Sequence, residues 1–170
     1  MKVRKSPLNA QWVVKFLGGI MATAGVLPYL FETEVEWTEQ RKGELEAPGL
    51  SPLQVASPPE FHGHEGMWTP EHYFVASVNS CFMTTFLTIA EMSQLELVSF
   101  DSKATGKLDK VEGVGYQMTE VILMPKLIIR HSKDLERATR LLEKAEKNCL
   151  ISNSIKAKVR LEPALVQAQG

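Results

Sequence analysis

Between Glu71 and Glu91 the chain carries no aspartate, glutamate, lysine or arginine, and so long an uncharged segment has to be covered by other protein if it is to stay in water. Its start is legible. Thr69 can cap free backbone N–H groups, Pro70 suits the first helical position, and Glu71 complements the positive helix end. Phe74, Val78, Phe82, Thr85 and Ile89 then recur at three- and four-residue steps. The spacing predicts a long helix buried on most sides, with Cys81 in its middle beside the apolar stripe.

The rest of the pattern has to supply cover for that helix. Phe31, Thr33, Val35 and Trp37 alternate with Glu32, Glu34 and Glu36, which predicts a strand with one face on a core. Residues 38–43 read as a turn into a second strand at 44–47, and a third at 53–56 precedes the Pro58-Pro59 break and a loop over 58–68. Two long strands are expected at 95–108 and 116–130, joined by a charged turn with two glycines. Ser132 caps a second helix whose apolar face is Leu135, Ala138, Leu142, Ala145 and Cys149. Residues 155–161 alternate as a last strand, and residues 164–170 read as a loose tail. This order of strands, helix, hairpin, helix and strand is α+β rather than alternating parallel units.

A chain of 170 residues with 44% hydrophobic and 23% charged content is long enough for one core. A single domain is expected over residues 26–163. Residues 1–25 are an extension, either a leader or a mispredicted start. Lys2, Arg4 and Lys5 precede an uncharged run over 16–31 containing Ala22-Thr23-Ala24, in the manner of a secretory leader. Lys15 adjoins the run, Pro28 interrupts it, and it is too short to span a bilayer; Met21 is an alternative start. A cytoplasmic protein is expected, with export through residues 1–24 as the alternative. The net charge of -1 gives no bulk attraction to nucleic acid or anionic membrane, and neither is expected as a partner.

Cys81 and Cys149 are the only two cysteines, which excludes a disulfide framework or a four-thiolate zinc site within one chain. His62, His64, Glu65 and His72 are metal-type ligands, but their loop shows no closed ligand spacing, so no metal is expected. A cysteine on an apolar helix is by default a small hydrophobe. Polar residues interrupt the pattern beside each of these two, namely Asn79 and Ser80, then Asn148, Ser152 and Asn153. Such groups can hydrogen-bond a thiolate, which attacks a peroxide oxygen, and a second thiol within reach captures the sulfenic acid as a disulfide. No histidine is spaced to serve as a base for Cys81, which disfavours a cysteine hydrolase.

The segment Thr69-Pro70-Glu71-His72-Tyr73-Phe74-Val75-Ala76 through Ser80-Cys81-Phe82 resembles the signature of the osmotically-inducible-protein-C and organic-hydroperoxide-resistance (OsmC/Ohr) family. Cys149-Leu150-Ile151-Ser152-Asn153 is similar to that family's Cys-Pro-x-Ser-Asn. Residues 35–43 resemble its first hairpin, which puts Arg41 on the family's arginine. The resemblance covers about residues 31–162. It implies an OsmC-like fold, with antiparallel strands wrapped around long central helices in an intertwined homodimer. It also implies a peroxidase for organic hydroperoxides in which Cys81 attacks, Arg41 stabilises the thiolate, Glu71 holds the arginine and Cys149 resolves. No bound cofactor is implied. The reductant is an external dithiol, such as dihydrolipoamide or a lipoylated protein.

One helix cannot easily bring Glu71 to Cys81, since ten residues span roughly 15 Å at about 1.5 Å per residue. A second subunit is therefore expected to supply the glutamate. Two departures from the family pattern bear on the site. Glu39 and Gln40 replace two glycines before Arg41, and the Glu39 carboxylate is expected to compete for that arginine, with Lys42 as the nearest substitute cation. Leu150 replaces a proline, which is expected to loosen the turn that positions Cys149. Met67, Trp68 and Phe82 are candidates to line an apolar pocket favouring organic over hydrogen peroxide. The alternative is a module of the same fold that binds an apolar ligand in the dimer cavity without catalysis.

Overall fold

The computed structural model describes residues 28–168, so the extension expected at residues 1–25 lies outside the described residues. From Thr33 onward the chain forms one compact unit. In chain order its elements are β1 (Glu34–Glu39), β2 (Lys42–Glu46), β3 (Leu53–Ala56), α1 (Pro70–Met92), β4 (Leu97–Val111), β5 (Gly115–Ile129), α2 (Leu135–Asn148), α3 (Leu150–Asn153), β6 (Lys158–Leu161) and β7 (Ala164–Gln167). Short 3-10 turns occupy Pro59–Phe61 and Ser132–Asp134.

The α1 start forms as its residues dictate, for Thr69 Oγ accepts the His72 N–H at 3.3 Å while Thr69 itself is buried. Only one stripe of α1 is covered, Val78, Phe82, Phe86 and Ala90. Met83 and Leu87 stand exposed on the opposite side, so burial on most sides is corrected to burial on one. By length and composition α1 is apolar enough to cross a membrane. Its buried stripe seats on the long β4–β5 hairpin, where Phe86 stacks on Phe100 at a centroid distance of 5.4 Å. The approach is close because Gly106 lies beneath it. A Cβ there would stand 2.4 Å from Val75 Cγ2 and 2.5 Å from Met118 Cε, so a side chain would push the helix off the sheet.

β4 and β5 pair antiparallel over almost their whole length, with Gly113 and Gly115 turning the chain at φ 75° and 99°. β6 and β7 then pair with β5 in parallel, Val121 against Val159 and Leu127 against Leu165. Two findings differ from expectation here. These last strands are parallel, and residues 164–167 of the supposed loose tail are a strand that tucks Leu165 against the core. Ser132 lies in a 3-10 turn rather than capping α2, which begins at Leu135 without a side-chain cap. The stripe Ala138, Leu142, Ala145 and Cys149 is buried as its spacing predicts.

β1, β2 and β3 make a separate three-stranded sheet. Val35, Leu45 and Leu53 are cross-strand neighbours, as are Trp37, Gly43 and Val55, so the alternation does sort one apolar face. That face is bare. Every residue of β1 is exposed, Val35 at 64% and Trp37 at 72%, which corrects the expected half-buried strand. The sheet is tied to α1 by the Ala56 N–H to the Trp68 carbonyl and by Tyr73 Oη to the Gln54 carbonyl, both 2.9 Å.

Candidate active site: a pair of thiols

Cys149 sits where α2 stops. Its backbone is extended, φ -69° and ψ 116°, and it forms the boundary between α2 and the short α3. Two asparagines hold this break by donating to the last carbonyls of α2: Asn148 Nδ2 to Lys144 at 2.7 Å and Asn153 Nδ2 to Lys147 at 3.1 Å. The residue before a proline is biased to this same extended conformation. Cys149 adopts it here with Leu150 in the next position, and the Asn153 side chain donates to the Lys147 carbonyl beside it.

α1 packs against both α2 and α3, and this brings Cys81 to Cys149 although 67 residues of chain separate them. Cys81 packs against the core cluster that holds Cys149, near enough for each thiol to shift the acidity of the other. Cys81 is half-buried and Cys149 fully buried. Burial pushes the Cys81 thiol up, but hydrogen bonds from the Cys149 thiol, the Ile151 N–H, the Thr85 hydroxyl and the Leu150 N–H outweigh it and leave the group below the ordinary thiol range. Leu150 and Ile151 open α3, so their N–H groups have no acceptor one turn back and point outward from the positive helix end. A proline at position 150 would have no N–H to give. Burial and then the Cys81 sulfur push Cys149 the other way, above the ordinary range, and the Ser152 hydroxyl and N–H only partly offset this. The two thiols are thus shifted in opposite directions, Cys81 toward the thiolate and Cys149 away from it.

Arg41 and Glu71 are not joined to this pair within one chain. Arg41 is exposed in the β1–β2 turn, where its Nη1 donates to the Phe61 carbonyl. Among the described residues no guanidinium contributes to the Cys81 thiolate. Glu39 does not compete for Arg41, because its carboxylate is held by Lys42 at 2.9 Å, which keeps it below the usual carboxylate range. Gln40, in place of a family glycine, takes a left-handed φ of 47°, a conformation that glycine adopts more readily. Glu71 lies in the first turn of α1 with Oε2 buried and without a partner, an arrangement that asks for a donor from elsewhere.

Of the pocket candidates, Trp68 is half-exposed and stacks on Tyr73 at 5.5 Å, and Met67 is partly covered. Phe82 is corrected: it is wholly buried in the core beside Phe100, so it offers no surface to a ligand in this chain. His72 Nδ1 is taken by Thr69 Oγ at 2.9 Å, and among the described residues no three His, Cys, Asp or Glu side chains converge on a metal-sized site. Ser152 is one of the polar neighbours that the sequence offers to a thiolate, and it lies at Cys149, whereas Thr85 and the two N–H groups opening α3 are not among those neighbours. The Ser-Asn pair after Cys149 was the available signal for Ser152, and the i+4 spacing from Cys81 was the signal for Thr85.

Comparison with known proteins bears on the family and the fold. The family description "OsmC-like protein" matches residues 63–164, more than half of the chain. The uncharacterized protein YmaD of Bacillus subtilis is 25% identical over 137 residues, covering 78% of this chain and 90% of that one. Among solved structures, an OsmC-like protein of unknown function from Vibrio cholerae is similar at TM-score 0.74 and 25% identity, covering 80% of this chain and 99% of that chain. An organic hydroperoxide resistance protein from Elizabethkingia anophelis shares the fold at TM-score 0.67 and 20% identity, over 84% and 99% of the two chains. One from Legionella pneumophila does so at 0.64 and 22%, over 83% and 99%. The chain belongs to the OsmC-like family.

Proposed function

We propose that this protein is a thiol peroxidase for organic hydroperoxides, in which the Cys81 thiolate attacks the peroxide and Cys149 resolves the product. The observation that carries the reading is the meeting of two sequence-distant thiols at one place in the core, Cys81 half-buried and Cys149 enclosed. The Cys81 sulfur takes the terminal peroxide oxygen, releasing an alcohol and becoming a sulfenic acid. Cys149 then displaces water to form the disulfide. An external dithiol, dihydrolipoamide or a lipoylated protein by family resemblance, returns both thiols.

The working unit in this reading is a homodimer. The exposed Val35 and Trp37 of β1 and the exposed Met83 and Leu87 of α1 are apolar surfaces without cover among the described residues, and a second copy covers them. The same copy brings Arg41 and Glu71 to the Cys81 of its neighbour, which accounts for the unpartnered Glu71 carboxylate oxygen. The test is consumption of cumene hydroperoxide with a dithiol, abolished by Cys81→Ser and faster than with hydrogen peroxide. Sedimentation should show a dimer, and an active monomer contradicts the arrangement. Survival of both thiols through excess hydroperoxide favours instead a non-catalytic module that holds an apolar ligand between subunits.

A further inference from the structure

We infer that the Cys81–Cys149 disulfide is reopened by attack of the reducing thiol on the Cys81 sulfur, with Cys149 expelled as a thiolate onto the hydroxyl of Ser152. This rests on the peroxidase reading and specifies the step that resets it. Access decides which sulfur is attacked. Cys149 is 0% exposed, enclosed with Ala145 and Leu142 in the core, whereas Cys81 is only partly covered. A thiolate arriving from solvent meets Cys81.

The leaving group is then a sulfur in a buried site, where a bare negative charge is costly without a donor. Ser152 supplies one. Its Oγ is buried without a hydrogen-bond partner, three residues along the chain from Cys149, and the Ser152 hydroxyl and N–H are near enough to favour the Cys149 thiolate. A buried hydroxyl that is otherwise unsatisfied is rare enough to ask for a use, and a charge-assisted bond to a transient thiolate is such a use.

The electrons balance over two exchanges. The first reductant thiolate bonds to the Cys81 sulfur, the Cys81–Cys149 bond breaks, and its electron pair goes to Cys149, which takes up a proton. The second thiolate of the same dithiol attacks the reductant sulfur of the mixed disulfide and expels Cys81 as a thiolate. The dithiol ends as a disulfide and the protein as two thiols. Leaving-group acidity alone would favour attack on Cys149 with Cys81 departing, since the lower-pKa thiol leaves faster. Burial of Cys149 opposes that route, and Ser152 lowers the cost of the other. In the second exchange the better leaving group departs, held by Thr85 and the N–H groups of Leu150 and Ile151.

The experiment starts from full-length protein oxidised with diamide, which forms the disulfide without any peroxide step. Limiting 2-mercaptoethanol is added for a short interval, the exchange is quenched with acid, free thiols are then capped with N-ethylmaleimide, and the products are mapped by mass spectrometry. The expected product carries mercaptoethanol on Cys81 and maleimide on Cys149; mercaptoethanol on Cys149 overturns the inference. Ser152→Ala should slow reduction of the disulfide by dithiothreitol about tenfold, the loss of one hydrogen bond to a charged group, and shift its pH profile upward, while Ser152→Thr restores both. Reduction at parental rate in Ser152→Ala overturns the role of Ser152. Inertness to hydroperoxide with the Cys81 adduct still formed removes the peroxidase reading and leaves this step standing, whereas failure of diamide to join the two cysteines removes both.

Discussion

Oxidation should make this protein more stable, and the size of the gain follows from where the two sulfurs sit. Joining residues 81 and 149 closes a loop of about 70 residues, for which the chain-entropy treatment gives an upper bound of about 4 kcal/mol lost from the unfolded ensemble. Against this stands the native-state cost of drawing the two sulfurs to bonding distance and of giving up the bonds to the Cys81 thiolate. Because the thiols already meet across the α1–α3 contact, that cost is small, and a net gain of about 2–4 kcal/mol is expected. With a urea slope of about 2 kcal/mol per molar for a chain of this size, the midpoint should rise by about 1–2 M. The assay is urea unfolding followed by far-ultraviolet circular dichroism on diamide-treated and dithiothreitol-treated protein, with Cys149→Ser as a control that should show no gain. An oxidised midpoint equal to or below the reduced one would mean that joining the sulfurs strains the fold, and the proximity argument would fail with it.

Further outcomes follow from other contacts. Gly106→Val should destabilise the fold by about 1–3 kcal/mol in urea, because Val75 and Met118 already fill the place of its Cβ, and Val75→Ala should recover part of the loss; a Gly106→Val protein as stable as its parent refutes the close seating of α1. At neutral pH iodoacetamide should modify Cys81 far faster than Cys149, and equal rates would contradict the opposite shifts of the two thiols. Thr85→Val should move the Cys81 alkylation profile to higher pH and Thr85→Ser should not. The sign carries to stability: a thiol acidified by folding adds stability that is present above the ordinary thiol range and lost as pH falls through its lowered folded value. The deficit of Thr85→Val against the parent should therefore widen toward alkaline pH, and a constant difference counts against the hydrogen bond. Arg41→Gln should lower peroxide turnover by about a hundredfold, as loss of a charge-stabilising donor does, while leaving the stability gain on oxidation intact; undiminished turnover removes Arg41 from the site.

The local devices were legible in the residues themselves. Thr69-Pro70-Glu71 announced the start of α1, the stripe through Val78 and Phe82 gave its buried side, and the three-four spacing through Ala138, Leu142 and Ala145 placed Cys149 on the inner face of α2. Alternation found the face of β1 that carries Val35 and Trp37. It could not say that nothing among the described residues covers those two side chains, since periodicity records which side is apolar and not what lies against it. β7 was missed for a related reason: four residues after Pro163 carry little pattern, and they become a strand only because β5 presents a free edge beside them.

What the sequence determined by itself was the set of elements and the resemblance that singled out Cys81 and Cys149, because capping, helical spacing and motif order are written within a few residues of one another. What only the tertiary structure decided was the chemistry around the sulfurs. The packing of α1 on α2 and α3 sets which thiol is enclosed, which hydroxyl faces which sulfur, and that the Leu150 N–H points at Cys81. Acidity and access arise from groups that the chain brings together across long separations. They depend on distance and desolvation in three dimensions, which the order of residues along the chain does not contain.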